Sequence, residues 1–488
     1  MRTQETLSGG EWVTSGDWID VLDPADLRTP VARVPALPAE DVTRAFDHAE
    51  RGFAVWKRTS PFERARILTD AARLIRERAR EISADVTAEN GKTLAEATGE
   101  TLKAADFLEY YAGCARQGYG TLLHDVRPHH RTHTQREPIG VILVISPWND
   151  PLITPARKLA PLLAAGNAAV FKPATETPLA GLHLARALHD AGLPAGVLNV
   201  VTGRTASIEE ALLDDPRIAG LTFTGSNAVG NRIRRRLADR NVRFQGELGG
   251  KNASVVLADA DLPAAARAVA AAAFGQAGQR CTATSRVIVD RPVYEEFTRL
   301  LLGEVAALKG GPGTDPATTL GPLSSPKQRD GVLAAVTRAV EQGATVLTGG
   351  RADTEGERAH GCHVLPTVLA DVTPESALWR EEVFGPVLAL RAVDGFDAAV
   401  EAVNDSAFGL AAAVFTRDLA RAHRFADAAE CGQVAVNTTT TGWDVHLPFG
   451  GFRDSGTAYK EQGEEVLRFS TRVKTVAINL GAPERAHG

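Results

Sequence analysis

A single cysteine in a turn between a helix and a strand is the most reactive group that the sequence offers. The segment FGQAGQRCTATS at residues 274–285 places Cys281 after an alanine-rich stretch (262–273) that predicts a helix, and before an apolar run at residues 287–289. A thiol at such a junction can face a cleft, although most free cysteines are small buried apolar residues. Taken alone, Cys281 is open to both interpretations.

Two other segments contain the helpers that an acyl-forming cysteine needs. Glu247 lies in GELGG at residues 246–250, where glycines let water approach the backbone closely and a carboxylate can act as a general base. Asn149, in SPWN at residues 146–149, can donate its amide to an oxyanion. The three side chains together favour nucleophilic catalysis by Cys281.

A further set of residues is suited to binding a nucleotide. The sequence FTGSNAVG at residues 223–230 leaves a strand and opens a helix; its backbone N–H groups would favour a pyrophosphate, and Ser226 adds a hydroxyl. A plain strand-to-helix turn explains the segment equally well, and no GxGxxG fingerprint follows the early strands. Lys172 can reach a ribose or phosphate, or be a surface lysine. Glu382 can accept from ribose hydroxyls, or be an ordinary loop acid.

Composition excludes several classes of protein. The 488 residues are 44% hydrophobic and 23% charged, with a net charge of −6, so we expect a soluble globular protein with no attraction to nucleic acid or membranes. Four widely spaced cysteines without a CxxC pair argue against disulfides and zinc. The histidine-rich segment 129–133 lacks further ligands at metal spacing and predicts a solvated β-ribbon. We therefore expect no metal, and a cytoplasmic location since a signal peptide is missing.

The order of elements predicts the α/β class. Residues 38–113 show helical periodicity, and near-continuous apolar strands then alternate with helices over residues 140–250 and 252–436. This pattern is typical of parallel sheets covered on both faces. Such sheets bind ligands at the carboxyl ends of their strands, where Asn149 and Gly225 fall.

Seven motifs, in order and over nearly the whole chain, resemble the NAD(P)-dependent aldehyde dehydrogenase superfamily. The matching segments are SPWN (146–149), FKPA (171–174), FTGS through Gly230 (223–230), ELGGK (247–251), GQRC (278–281), EVFGP (382–386) and PFGG (448–451).

The resemblance implies an architecture. It consists of a Rossmann-like cofactor domain (1–119 and 139–250), a second α/β catalytic domain (251–450) and a small β oligomerisation arm (120–138 and 465–488). A homodimer or homotetramer joined through this arm is implied as well.

The resemblance also implies roles for residues. Cys281 is the nucleophile, Glu247 the general base, and Asn149 with the Cys281 N–H forms the oxyanion hole. An aldehyde is oxidised to the acid through a thiohemiacetal and a thioester, and retention of Glu247 favours hydrolysis over transfer to coenzyme A. The residues implied to contact NAD or NADP are Trp148, Lys172, Thr175, Gly225, Ser226, Glu382 and Phe384.

Departures from the family pattern bear on specificity. Thr175 stands where NAD-preferring relatives carry a glutamate, so the 2′-phosphate of NADP is not repelled. Asp150, Arg157 and Phe449 are predicted to line the aldehyde tunnel, with Arg157 meeting an anionic end of the substrate. The alternatives for Arg157 are an ion pair with Asp150 or exposure to solvent.

The segment NTTTTGWDVHLP (437–448) and the GQRC turn are similar to the branch of 2-oxoglutarate semialdehyde dehydrogenases. A small aldehyde that carries a carboxylate is therefore the expected substrate, and aromatic, aliphatic or phosphonate aldehydes remain open.

Two other classes of protein are alternatives to an aldehyde dehydrogenase. A nicotinamide-independent cysteine hydrolase needs a histidine beside Cys281, and none is near in sequence; a non-catalytic binding protein would not need both Cys281 and Glu247.

Overall fold

Two parallel sheets, each covered by helices, form the body of the molecule. The structure is a computed structural model that describes residues 2–118 and 120–481. Residues 1 and 119, at the ends of the predicted first domain segment, and residues 482–488 of the predicted arm lie outside the described residues. In the described part of the chain, no helix combines the length and apolar character needed to cross a membrane.

The N-terminal sheet has five strands, all parallel, and its order reverses between the strands Val141–Ile145 and Ile218–Thr224. Most of its apolar side chains are buried because helices cover both faces. In spatial order the strands are Leu198–Val200, Ala168–Lys172, Val141–Ile145, Ile218–Thr224 and Arg243–Glu247. The helices of this unit are Ala39–Trp56, Pro61–Glu77, Ala79–Asn90, Leu94–Ala115, Ile153–Ala164, Pro178–Asp190, Thr205–Leu213 and Asn227–Arg236.

The C-terminal sheet has seven strands, six of them parallel and one antiparallel strand, Thr345–Thr348, at an edge. In spatial order the strands are Thr345–Thr348, Thr367–Ala370, Val387–Val393, Arg286–Asp290, Ala253–Val256, Ala411–Phe415 and Gln433–Val436. Its helices are Leu262–Phe274, Tyr294–Ala306, Pro326–Glu341, Ala377–Arg380, Gly395–Asn404 and Leu419–Ala428.

Smaller elements complete the chain. A three-stranded sheet pairs the C-terminal strand Thr471–Asn479 with His130–Pro138, which also pairs with Leu122–Leu123. The N-terminal strands are Arg2–Thr3, Thr6–Ser8, Glu11–Val13, Asp17–Asp23 and Asp26–Ala36. The remaining short elements are the strands Phe408–Gly409 and Phe452–Arg453, the helix Val466–Ser470 and the 3-10 turns Gly275–Gly278, Arg291–Val293 and Gly356–His360.

Local signals in the sequence explain several boundaries. Ser60 accepts a hydrogen bond from the Glu63 N–H, and Pro61 occupies the first turn of its helix. Thr93 and Glu96 form a reciprocal capping box at the start of the long helix Leu94–Ala115. The α/β expectation is confirmed, and the boundaries predicted for the three domains remain a prediction.

The two sheets meet end to end. Residues 146–150 and 224–226 follow the carboxyl ends of the two strands at which the order of the N-terminal sheet reverses. Residues 250–252, 281–285 and 382–386 precede strands of the C-terminal sheet. Since ligands of open parallel sheets bind where the strand order reverses, the junction between the sheets is the place to look for chemistry.

Candidate active site

The turn before Cys281 has an unusual backbone. The helix Leu262–Phe274 is followed by Gln276 and Ala277 at φ values of 50° and 53°, and then by Gly278 at 70°. A Cβ at Gly278 would lie 2.2 Å from the Gly385 carbonyl oxygen, so no other residue fits there. Left-handed backbone at two non-glycine residues is uncommon and clusters at functional sites. The strained turn brings Cys281 to the junction of the sheets.

Two cavities meet at this cysteine. One, of about 370 Å³, lies between the helix Leu94–Ala115 and residues 441–449, and is called the substrate cavity below. The other, of about 270 Å³, lies against residues 147–149 and 382–384, and is called the nucleotide cavity. Cys281, Asp150 and Arg157 line both of them, so a group bound in one cavity can meet the sulfur together with a group bound in the other.

Asn149 is held close to the cysteine turn. It is buried, and its Nδ2 donates to the Gln279 carbonyl oxygen at 2.9 Å and faces Asp150 Oδ2 at 3.3 Å. Within residues 2–118 and 120–481, the Cys281 N–H donates to no protein acceptor. An amide N–H and a backbone N–H beside one sulfur are the two donors of an oxyanion hole.

Glu247 is the last residue of the strand Arg243–Glu247, and it is not among the residues that line either cavity. Its Oε1 accepts from Gln245 Nε2 at 3.1 Å, and a Cβ at Gly450 would lie 2.6 Å from the same oxygen. Oε2 is buried, with no partner among the described residues. Burial, and next the carboxylate of Glu461, raise the pKa of Glu247 well above its usual range, opposed by Lys158 and Arg157.

A buried chain of charges runs from Glu247 to the substrate cavity. Lys158 Nζ lies 3.3 Å from Gln245 Oε1 and 2.5 Å from Glu461 Oε1, and Glu461 Oε2 lies 3.1 Å from Arg157 Nε. Burial alone would raise the pKa of Glu461, but Arg157 and Lys158 outweigh it and lower that pKa. Glu461 is therefore the counter-ion of two buried cations.

Arg157 lies on the wall of both cavities with its guanidinium carbon 4.7 Å from the centre of the Phe449 ring. Two of the expected alternatives for Arg157 are wrong. It pairs with Glu461 rather than with Asp150, and it is only 7% exposed rather than facing solvent. Asp150 instead faces Lys92 Nζ at 3.4 Å, because Lys92 reaches it from the N-terminal helices. Phe449 is buried and lines the substrate cavity.

The nucleotide cavity has an aromatic wall and a helix N-terminus. The Trp148 and Phe384 rings meet edge to face at 5.4 Å. Ser226 precedes the helix Asn227–Arg236, and its own side chain does not cap that helix. The free N–H groups of such a helix start suit an anion.

Glu382 and Gly225 lie in the same cavity. Glu382 Oε1 accepts from the Gly250 N–H at 2.9 Å, and burial raises the pKa of Glu382 to about 7. Gly225 donates its N–H to the Glu247 carbonyl oxygen at 3.1 Å. A Cβ at Gly225 would lie 2.6 Å from the Phe223 ring, so a side chain does not fit at this turn.

Lys172 and Thr175 lie apart from the residues that line the nucleotide cavity. Lys172 is 1% exposed, and its Nζ donates to the Pro173 carbonyl oxygen at 2.6 Å. Burial lowers the pKa of Lys172 to about 8. Thr175 is half-buried and donates to the Gly203 carbonyl oxygen at 3.0 Å. Their contacts with a cofactor remain predictions.

Several residues of the site escaped the sequence analysis. Lys158 and Glu461 lie far apart along the chain, and no local pattern joins them. Arg280 was visible as the neighbour of Cys281, and it lines the substrate cavity. The others, with side chains in the cavity wall or behind it, are Lys92, Glu100, Lys103, Phe107, Gln276 and Gln462. Among the described residues, no group of three or more acidic, histidine or cysteine side chains could hold a metal.

A sequence model of the aldehyde dehydrogenase family matches residues 12–476. The chain belongs to the aldehyde dehydrogenase family. It is 40% identical over 479 residues to alpha-ketoglutaric semialdehyde dehydrogenase of Bacillus subtilis, covering 98% of each chain. It is 42% identical over 471 residues to alpha-ketoglutarate semialdehyde dehydrogenase of Haloferax volcanii, covering 96% of this chain and 97% of that one. The resemblance read from the motifs, including its branch, is confirmed.

Solved structures of aldehyde dehydrogenases and related enzymes share the fold. Betaine aldehyde dehydrogenase from Staphylococcus aureus, in complex with NAD+, superposes with a TM-score of 0.95 at 29% identity, with 98% of this chain and 95% of that chain covered. An NADP-dependent enzyme of E. coli superposes with a TM-score of 0.94 at 35% identity, with 98% of both chains covered.

Titration of the cysteine gives a first test of this site. Burial raises the pKa of Cys281 to about 12, and the charge of Arg157 opposes that rise. Because the thiolate is the nucleophile, we expect alkylation of Cys281 by iodoacetamide to keep accelerating with pH beyond about 8.5, the pKa of a free cysteine. The measurement is the second-order rate constant against pH for the protein without cofactor, with Cys281→Ser as the blank. A plateau below pH 8 would contradict it.

Proposed function

We propose that this aldehyde dehydrogenase oxidises a small aldehyde bearing a carboxylate, such as 2-oxoglutarate semialdehyde, to the dicarboxylic acid with NAD or NADP and water. The observation that carries the proposal is the meeting of the two cavities at Cys281, with Asn149 in the wall of one of them. The semialdehyde specificity named for the relatives in Bacillus subtilis and Haloferax volcanii supports the substrate class.

The nucleotide cavity suits NAD or NADP. Trp148 and Phe384 offer apolar surface, the helix start at Ser226 offers free N–H groups, and Glu382 offers an acceptor for ribose hydroxyls. The orphaned N–H groups at that helix start are the feature that an anionic group would satisfy. When bound, the oxidised nicotinamide supplies the acceptor for the hydride that the substrate carbon gives up.

The residues of the chain carry out the remaining steps. Once its thiol proton has passed to water, Cys281 Sγ forms a C–S bond with the aldehyde carbon. The alkoxide of the thiohemiacetal accepts from the Cys281 N–H and from Asn149 Nδ2, which gives up its 3.3 Å contact with Asp150 Oδ2. Removing one such donor typically costs about 10²–10³ in rate. After loss of the hydride the cysteine carries a thioester. Glu247 takes a proton from water, the water oxygen attacks the thioester, the C–S bond breaks and the acid leaves.

Hydrolysis by Glu247 requires movement of this residue. Its carboxylate lies outside the walls of both cavities, and burial raises its pKa and so disfavours the charged form. Lys158, which Gln245 connects to Glu247, favours ionisation of Glu247 together with Arg157, whereas burial and the Glu461 carboxylate oppose it. We infer a hydrolytic, non-acylating enzyme in which Glu247 swings toward the thioester.

The substrate cavity contains charged side chains of both signs. Three cationic side chains line it, namely Lys103, Arg157 and Arg280, together with the carboxylates of Glu96, Glu100 and Asp150. Lys103 pairs with Asp444 at 2.5 Å and Arg157 with Glu461, whereas Arg280 has no carboxylate within ion-pair distance among the described residues. Arg280 donates its Nε–H to Gln276 Oε1, and its terminal N–H groups can bind the substrate carboxylate. Aromatic side chains also line the cavity, so neutral aromatic aldehydes are the substrates to compare with a carboxylate-bearing aldehyde.

The arm supports assembly of copies of the chain. The strand Thr471–Asn479 lies at the edge of its sheet, and exposed apolar side chains on the arm include Leu122, Val126, Val473 and Ile478. We propose a homodimer or homotetramer joined through this arm. Among the described residues no disulfide joins any of the four cysteines, which supports the cytoplasm as the location.

Turnover of the aldehyde tests the proposed function. We expect aldehyde-dependent growth of absorbance at 340 nm with NAD or NADP and without coenzyme A. In Glu247→Gln, thioester formation persists and hydrolysis fails, so a burst of about one equivalent per site should precede a steady rate reduced by about 10²-fold or more. Acid quenching and mass spectrometry should find the acyl group on Cys281. Dependence on coenzyme A, or activity in Cys281→Ser, would refute the hydrolytic mechanism.

Cofactor choice is predicted at position 175. Because Thr175 carries no charge, we expect kcat/KM values for NAD and NADP within about tenfold of each other. In Thr175→Glu the carboxylate should repel the 2′-phosphate and lower kcat/KM for NADP by about 10-fold or more, a cost of about 1.4 kcal/mol. Thr175→Gln, of the same size without the charge, is the matched control. A kcat/KM of the unsubstituted chain about a hundredfold higher for NAD than for NADP would contradict this prediction.

A comparison of KM for a charged and for a neutral aldehyde tests the role of the cations in the cavity wall. Arg280→Met and Arg157→Ala should each raise KM for a semialdehyde acid about 10- to 100-fold, since charged hydrogen bonds contribute about 1.5–3 kcal/mol. KM for a neutral aldehyde of equal length should change little in Arg280→Met. Equal changes for both substrates would mean that Arg280 does not bind the carboxylate.

A further inference from the structure

Lys92 is a buried lysine that no step above uses. Its side chain is 1% exposed, and its Nζ lies 2.5 Å from Glu100 Oε2, 2.8 Å from the Asn149 carbonyl oxygen and 3.4 Å from Asp150 Oδ1. An ammonium group has three N–H donors and no acceptor, so each N–H has one oxygen to face. We propose that Lys92 is a positioning residue that fixes the oxyanion-binding segment around Asn149 for catalysis.

Glu100 connects Lys92 to the start of the helix Ile153–Ala164. Its Oε1 accepts from the Leu152 and Ile153 N–H groups at 2.8 Å and 3.0 Å, which are the first free donors of the helix Ile153–Ala164. That helix carries Arg157. The Lys92–Glu100 pair therefore anchors both the oxyanion donor and the cation beside Cys281 to the helices of the N-terminal unit.

Gln276 joins the cysteine turn to the same acceptors. Its Nε2 donates to Asp150 Oδ1 at 2.9 Å and to the Asn149 carbonyl oxygen at 3.3 Å. These are the two oxygens that Lys92 faces on this segment. Asn149 Nδ2 in turn donates to Asp150 Oδ2 at 3.3 Å and to the Gln279 carbonyl oxygen at 2.9 Å, so the residues that hold the Asn149 backbone also orient its amide.

The backbone around Lys92 is packed too closely to shift. Gly91 ends the helix Ala79–Asn90 at a φ of 88°. A Cβ at Gly313 would lie 2.2 Å from the Lys92 carbonyl oxygen, and one at Gly321 would lie 2.3 Å from the Gly91 carbonyl oxygen. The Leu94 N–H also donates to the Gly313 carbonyl oxygen at 2.9 Å. Residues of the C-terminal unit thus clamp the turn from which Lys92 reaches Asn149.

Nearby carboxylates favour the charged form of Lys92, in which all three of its N–H donors are present. Burial alone would lower the pKa of Lys92, but the carboxylates of Glu100 and Asp150 outweigh it and raise that pKa. A misplacement of catalytic groups by about 1 Å can cost about 10²-fold in rate. The inference rests on the proposed function, because it concerns the oxyanion of that reaction.

The test replaces the lysine with an uncharged residue of similar length. We expect Lys92→Met to lower kcat/KM for aldehyde oxidation by about 10²-fold with KM for NAD changed less than about threefold. Alkylation of Cys281 by iodoacetamide forms no oxyanion, and its rate constant should stay within about twofold of that of the unsubstituted chain. A merely structural role would move both reactions together. Lys57→Met, the same replacement at an exposed lysine, should behave as the unsubstituted chain.

A double substitution distinguishes the effect of Lys92 on protein stability from its effect on the position of Asn149. Lys92→Met leaves the Glu100 carboxylate buried without its cation and should lower the melting temperature. Lys92→Met/Glu100→Gln removes that charge; we expect the melting temperature to recover most of its loss while kcat/KM stays low. Recovery of both, or a kcat/KM of Lys92→Met within about threefold of the unsubstituted chain, overturns the proposal. If the unsubstituted chain oxidises no aldehyde, the proposed function itself fails, and the alkylation and melting results still stand as measured.

Discussion

Everything at the junction of the two sheets depends on the compensation of buried charge. Lys158, Arg157 and Glu461 form one buried cluster, and Lys92, Glu100 and Asp150 form another. A buried ion is costly unless it has a partner and hydrogen bonds, so the helices, strands and loops that contribute these side chains are held in one arrangement. The same arrangement sets the position of the Asn149 amide relative to the Cys281 sulfur, and stabilisation of the oxyanion depends on that position.

The meeting of strand ends explains why the site has two cavities. The order of the N-terminal sheet reverses beside residues 146–150, which opens a crevice at its carboxyl edge. The C-terminal sheet closes this crevice with turns at its amino edge, including the turn that carries Cys281. A nucleotide and an aldehyde can then approach the sulfur from opposite sides, an arrangement that hydride transfer requires.

Burial and nearby cations act in opposite directions on the two reactive groups. Burial raises the pKa of both Cys281 and Glu247, while Arg157 opposes the rise at each of them. Ionisation therefore depends on rearrangement or on a bound partner rather than on the resting site. Such a balance limits unwanted reactions of the thiol and leaves it ready when substrate and cofactor displace water.

The sequence by itself determined the α/β class, the family and the segments that carry Cys281, Glu247 and Asn149, because local periodicity and short motifs encode strands, turns and reactive side chains. Only the tertiary structure decided the partners of charged residues. Arg157 pairs with Glu461, which lies about 300 positions away in the chain, and Lys92 reaches Asn149 across a separation of 57 residues. Pairing of this kind follows from the way the helices pack over the sheet, and no local pattern reports it. The position of Glu247 outside the walls of both cavities was likewise set by packing against Gly450 and Gln245.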